Sequence, residues 1–216
     1  MTFVEKLVAI GSSPLGDDLT IALKGVCRGT ERRFEELREM LTQRNGFYAF
    51  EGALHVFPEK VDNSYAQEIS LSEWNAPNLW RFEYEHLTDG LCFFAEDIFG
   101  VQFAIKQDYV VSFDPESGGI QRIADDIERW AEVVLGDFEL LTGFPLAHNW
   151  QQANGSLQRK KRLLPKVPFI LGGPFTVDNL VAVDAVEGMR YRGDIWRQIR
   201  DLPEGAQLRL KALPVH

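Results

Sequence analysis

The sequence predicts an α+β fold: a central, mainly antiparallel sheet with covering helices, plus a C-terminal β-α-β extension packed on the same domain. Three observations carry that expectation. Residues 91–124 hold four apolar or alternating runs joined by connections too short for crossover helices, the pattern of an antiparallel meander. Directly after them, Ile127, Trp130, Ala131, Val134, Leu135 and Phe138 recur at helical spacing, placed to cover the sheet's apolar face. The 216 residues are 45% hydrophobic and 12% aromatic, enough for a real core.

Residues 3–10 read as a short amphipathic helix stopped by Gly11-Ser12-Ser13-Pro14. A second helix spans 30–44. Thr30 caps it, Phe34, Leu37 and Leu41 share one face, and Asn45-Gly46 suits a left-handed C-terminal cap. Phe47-Tyr48-Ala49-Phe50 is strand-like, and Leu54 to Phe57 runs up to Pro58. Trp80, Phe82 and Tyr84 alternate with Arg81 and Glu83, which suggests a strand with one apolar face. Leu91 to Ala95 is continuously apolar, suited to burial on both faces. Asp97-Ile98-Phe99-Gly100 turns the chain, with Gly100 where only a small residue is tolerated. Val101, Phe103 and Ile105, then Tyr109, Val111 and Phe113, alternate on either side of Gln107-Asp108. Asp114 and Pro115 open a strong turn closed by Gly118-Gly119, and Ile120 to Ala124 is a fourth strand. Asp125 and Glu128 have capping-box spacing for the helix that follows.

Asn149 to Pro168 reads as a polar crossing and the one candidate linker. Beyond it come a strand at Leu180 to Val183, a helix at Glu187 to Arg200, a turn at Pro203-Glu204-Gly205 and an amphipathic strand from Ala206 to Ala212. The expected organisation is one domain, with a core at about 30–140 and an extension at about 141–216.

Charge is unevenly spread in a chain of net charge −9. Residues 1–158 carry 12 basic and 26 acidic side chains, whereas residues 159–216 carry 11 and 6. Such asymmetry makes two parts of one fold attract each other, or steers a basic partner. An acidic chain is a poor binder of nucleic acid over most of its surface. The run Arg159-Lys160-Lys161-Arg162 lacks interleaved aromatics for base stacking, and a solvated loop or one docked onto the acidic part is the better reading. No apolar run is long enough for a membrane span, and no signal peptide is visible. Cys27 and Cys92 make no disulfide framework or metal spacing, which points to a reducing cytoplasm.

Motifs for catalysis are missing. Gly11 to Gly16 has the glycine spacing of a phosphate loop, but Asp17-Asp18 stands where lysine and a hydroxyl are needed. His55, His86, His148 and His216 are dispersed without ligand spacing, so no metal and no cofactor are expected. Cys92 lies beside Phe93 and Phe94 as an inert small hydrophobe, and Cys27 has no nearby base in sequence.

A resemblance to the SUKH superfamily, which includes the Smi/Knr regulators and many bacterial immunity proteins, rests on three stretches. They are the helix end Arg44-Asn45-Gly46, the segment Phe93 to Phe103 with its acidic turn and Gly100, and Val110 to Gly118 leading through Ile123-Ala124-Asp125 to a covering helix. The resemblance spans about residues 30–140. It implies a central sheet without catalytic apparatus, and a cytoplasmic binding protein that neutralises a toxin, nuclease-type foremost, by direct contact. The partner is then a basic toxin domain, with no membrane and no direct nucleic-acid binding, and a monomer is favoured. An adaptor of the Smi/Knr type is the alternative, and a hydrolase using Glu96 or Asp97 the third reading. Glu83, Glu85, Asp89, Glu96 and Asp97 are expected to form one acidic, partner-facing sheet edge, while Gly100, Asp114 and Pro115 are expected to serve turns.

Overall fold

The computed structural model describes residues 1–17, 31–59, 68–203 and 212–214. Its centre is a six-stranded antiparallel sheet in simple chain order: β1 (Phe47–Ala49), β2 (Leu54–Val56), β3 (Leu91–Asp97), β4 (Gln102–Lys106), β5 (Tyr109–Phe113) and β6 (Ile120–Ala124). The meander expected over 91–124 is β3 to β6. β3 is buried along its whole length because both of its faces are covered.

On one face, α4 (Ile127–Gly136) sets Trp130 edge-on against Phe94 and Phe103, at ring separations of 4.9 and 5.6 Å. Trp130 and Val134 are fully buried, as the helical pattern requires. Helices α1 (Phe3–Ala9) and α2 (Glu31–Gln43) pack on this side against α4. The cap of α4 is Asp126, which accepts from the Arg129 N–H at 2.7 Å, rather than Asp125, which pairs with Arg122. Glu128 closes no capping box. Its carboxylate reaches the first turn of α1 and accepts from the N–H groups of Phe3 and Val4, tying the N-terminal helix to the sheet cover.

The other face carries α3 (Leu71–Trp74) and a 3₁₀ segment at Arg81–Thr88. The strand expected around Trp80 is corrected by this segment. Trp80 and Tyr84 are buried while Phe82 is half exposed, whereas a strand would place all three rings on one face. Trp80 packs on Phe93 and Tyr84 on Phe113.

The polar crossing expected at 149–168 is also corrected. After α5 (Phe138–Thr142), α6 runs from Phe144 to Asn154, and Lys161–Pro165 forms β7, paired antiparallel with β8 (Leu180–Asp184). The Leu163 N–H donates to Ile98 O at 2.9 Å, and its side chain joins Ala53, Ile98, Ala147 and Leu180 in a second small core. A short apolar pair between charges thus becomes a strand through a tertiary contact. Asp184 caps α7 (Ala185–Ile199), whose Ala185, Val186, Met189 and Trp196 complete the main core. Gly193 lets α7 approach the 3₁₀ segment, because a Cβ there would overlap that of Glu83. Cys92 is 1% exposed and disulfide-bonded, which corrects the expected free thiol. Thr30, Cys27, the Glu204-Gly205 turn and the strand expected over 206–212, apart from Ala212, lie outside the described residues.

Candidate functional site

The five acidic residues expected to share one exposed edge do not do so. Glu96 and Asp97 close β3 and are 1% and 5% exposed, because β2 and β4 flank them and the C-terminal layer covers them. Asp97 Oδ1 accepts from the N–H groups of Phe99 and Val101, both at 2.8 Å, and so shapes the turn in which Gly100 takes φ +81°. Glu83 pairs with Arg197 and Glu85 with Arg200, both from the end of α7. Asp89 is exposed and pairs with His86. Asp114 builds its turn as expected, accepting from the Glu116 N–H and the Ser117 hydroxyl, while the Pro115 carbonyl accepts from the Tyr84 hydroxyl at 3.0 Å.

A buried polar cluster forms where β1, β2, β3 and β7 meet. His55 stands opposite Glu96 in the β2–β3 register, with Nδ1 3.1 Å from Glu96 Oε1. Glu96 Oε2 accepts from Gln102 Nε2, and Gln102 Oε1 accepts from the Trp74 indole at 2.7 Å. Arg162 brings its Nε to 2.9 Å from Glu96 Oε1, out of line for a hydrogen bond, so this attraction is chiefly coulombic. Tyr48 stacks on His55 at 4.4 Å and donates its hydroxyl to Glu68, while Arg159 stands 3.5 Å from the other Glu68 oxygen.

Burial lowers the His55 pKa to about 4, against the opposing pull of its Glu96 bond, so the ring is neutral at pH 7 with Nδ1–H donating. Burial alone would raise Glu96, but the Arg162 charge and the bonds from His55 and Gln102 bring it below the usual carboxylate range. Glu68 is raised, since burial outweighs the Tyr48 bond and the Arg159 charge. The arrangement fixes one negative charge at Glu96 against one positive charge at Arg162. Among the described residues no group of His, Cys, Asp and Glu is placed to hold a metal ion.

Two surface features flank this cluster. One is a cavity of about 520 Å³ whose lining includes Tyr48, Arg159 and Arg162. The other is the loop 167–175, where Val167, Ile170, Leu171 and Phe175 are all exposed, Phe175 by 69%. Phe175 stacks on Phe169 at 3.9 Å, and a second cavity of about 290 Å³ opens between this loop, Phe99, Arg192 and the Asp114–Ser117 turn. The loop is braced. Asn179 accepts from the Val167 N–H and donates to the carbonyls of Val167 and Pro174, and Glu116 accepts from the Ile170 N–H.

Sequence reasoning did not bring His55, Tyr48, Glu68 and Arg162 together, because separate segments deliver them and no spacing links them, although docking of the run 159–162 onto the acidic part was one of its readings. The signal available was the charge asymmetry, which anticipates arginines of the last third docking onto carboxylates of the first two.

No family model matches the chain, and no curated protein matches it. Among solved structures it is similar to Atu4351 from Agrobacterium tumefaciens, with 14% identity over 88% of each chain and a TM-score of 0.51. That likeness is one of fold. Among the described residues, no helix is long and apolar enough to cross a membrane.

Proposed function

We propose that this protein is a non-catalytic binding protein of the SUKH immunity type, which neutralises a basic toxin domain, nuclease-type foremost, by direct contact. The apolar loop 167–175 is the observation that carries this reading. Four large apolar side chains exposed within nine residues form the kind of patch that marks a protein interaction site. The Asn179 and Glu116 hydrogen bonds hold the loop in place beforehand, so a partner need not order it on binding. In this reading one chain meets one partner, and neither cofactor nor nucleic acid takes part.

Co-expression with the protein encoded beside it, followed by purification and titration, tests the proposal. Phe175→Glu and Ile170→Asp are expected to weaken binding at least tenfold with an unchanged melting temperature, since both side chains already face solvent. Wild-type affinity in a folded double variant would move the interface away from this loop. The proposed compartment is the cytoplasm, and the Cys92 disulfide of the structure is the observation that opposes it. An oxidised Cys92 in chain recovered from its own cells, read by non-reducing mass spectrometry, would place it in an oxidising compartment instead.

A further inference from the structure

The larger cavity lies between Ser12, Tyr48, Gln151, Gln158, Arg159 and Arg162, away from the 167–175 loop, and its volume of about 520 Å³ falls in the range of small-molecule sites. Eight buried side-chain polar atoms among the described residues have no hydrogen-bond partner. Two of them, Arg162 Nε and Nη2, are donors of a residue that lines this cavity, while two more, His55 Nε2 and Glu68 Oε1, are acceptors in the cluster behind it and take no part in holding an anion. Native proteins leave few such atoms, and a concentration of them at one place calls for a physical cause.

Arg162 is the centre of that concentration. Its side chain is 3% exposed and lines the cavity, yet among the described residues its one hydrogen bond runs from Nη1 to the Lys161 carbonyl at 2.9 Å. A guanidinium offers five donors in a planar fork that matches the paired oxygens of a phosphate or carboxylate. Arg159, half exposed at the rim, sets a second guanidinium beside the first.

The remaining walls are fixed and place little negative charge in the way. Gln151 is held by bonds to Glu51 O and from the Leu157 N–H, and Ser12 Oγ accepts from the Tyr48 N–H. Among the described residues Glu51 is the one lining carboxylate, with its Oε2 engaged by His148 at 2.8 Å, while Glu68 and Glu96 face Arg159 and Arg162 from behind the wall. We propose that this cavity binds a small molecule through an oxyanion group, phosphate or carboxylate, held by Arg162 and Arg159. The proposal is independent of any toxin partner.

The test is calorimetric titration and thermal melting of the full chain in chloride buffer at fixed ionic strength, with inorganic phosphate as one probe and citrate as the other. Saturable one-to-one binding of either is expected, with a melting temperature that climbs with ligand concentration, and the probe that binds identifies the anion class. Arg159→Gln is expected to weaken it about tenfold, the loss of one charge-assisted hydrogen bond. Arg122→Gln, on exposed β6, is expected to leave it unchanged. Because Arg162→Gln also breaks the Glu96 pair, ligand-induced amide shifts in the wild-type chain provide the second readout, expected to centre on Tyr48 and Leu157. Absence of saturable binding by both probes, equal binding by Arg159→Gln, or shifts centred elsewhere would overturn the proposal and leave an ionic-strength effect only.

Discussion

On the α4 side of the sheet, cohesion comes from rings and aliphatic chains: Trp130 against Phe94 and Phe103, with Ala131 and Val134 buried alongside. The C-terminal layer, β7, β8 and α7, meets the rest of the molecule differently. Met189 and Trp196 enter the core, but around them Arg162 faces Glu96, Arg192 lies 4.0 Å from Glu116, and Arg197 and Arg200 pair with Glu83 and Glu85. Every one of these arginines comes from residues 159–216, and every carboxylate from the acidic first part. The charge asymmetry of the sequence is therefore largely spent inside the fold. Buried ion pairs add little net stability over apolar packing, but they penalise wrong docking severely, because a misplaced layer strands charges out of water.

That contrast breaks first at its most buried pair. Arg162→Met leaves Glu96 uncompensated and is expected to cost about 3–5 kcal/mol in urea unfolding. Adding Glu96→Gln, which can still accept from His55 and Gln102, is expected to recover most of the loss. Trp130→Ala is expected to cost a similar 3–5 kcal/mol or so by leaving a cavity, and Glu96→Gln should recover none of it. A double variant no more stable than Arg162→Met alone would mean that packing, not charge, seats the C-terminal layer.

Titration sharpens the comparison next. Burial raises the Asp97 pKa to about 8, against the Val101 and Phe99 N–H groups and the Arg192 charge, while it lowers His55 to about 4. The native state thus keeps a proton on Asp97 that the unfolded chain releases above about pH 4, so stability falls as pH rises towards 8. His55 acts in the opposite sense. The unfolded chain protonates it below about 6.5, the native state only near 4, and stability falls as pH drops through that interval. The two slopes oppose each other between about pH 4 and 6.5, and Asp97 acts alone above it. Unfolding free energy is expected to drop by roughly 1–2 kcal/mol from pH 6.5 to 8. Asp97→Asn, which keeps an oxygen for the two N–H groups, should flatten that drop, and a persisting slope would assign it to another group.

Gly100→Val is expected to cost about 1–2 kcal/mol, because φ +81° is strained for any residue with a Cβ and more so for a branched one. A wild-type melting temperature would show that the turn can rearrange. The smallest effect belongs to the solvent-exposed pair of Glu85 and Arg200. Charge reversal of Glu83 and Glu85 sets lysines against Arg197 and Arg200, so it is expected to loosen the end of α7. The Glu83 share should persist in high salt, since its side chain is 12% exposed, whereas the Glu85 share should fade.

Much of the meander could be read along the chain because its information is local. Strict alternation in 101–113, the Asp114-Pro115 turn and the helical period after Asp126 each specify an element with no distant help. Where apolar residues were few, or a short alternation was misleading, tertiary partners decided. Leu163-Leu164 between charges became β7 through Ile98 and β8, and Trp80 to Tyr84 became a 3₁₀ turn because Phe93 and Phe113 take the two buried rings.

The candidate site divides in the same way. The amino-acid sequence determined the fold class, the acidic and basic parts, and the roles of Asp97, Gly100 and Asp114 in their turns, since these depend on neighbours a few residues away. The tertiary structure alone decided which charges meet. His55, Glu68, Glu96 and Arg162 come from segments as much as 107 residues apart, and their pairing depends on coulombic attraction in a water-poor interior, which no spacing along the chain encodes.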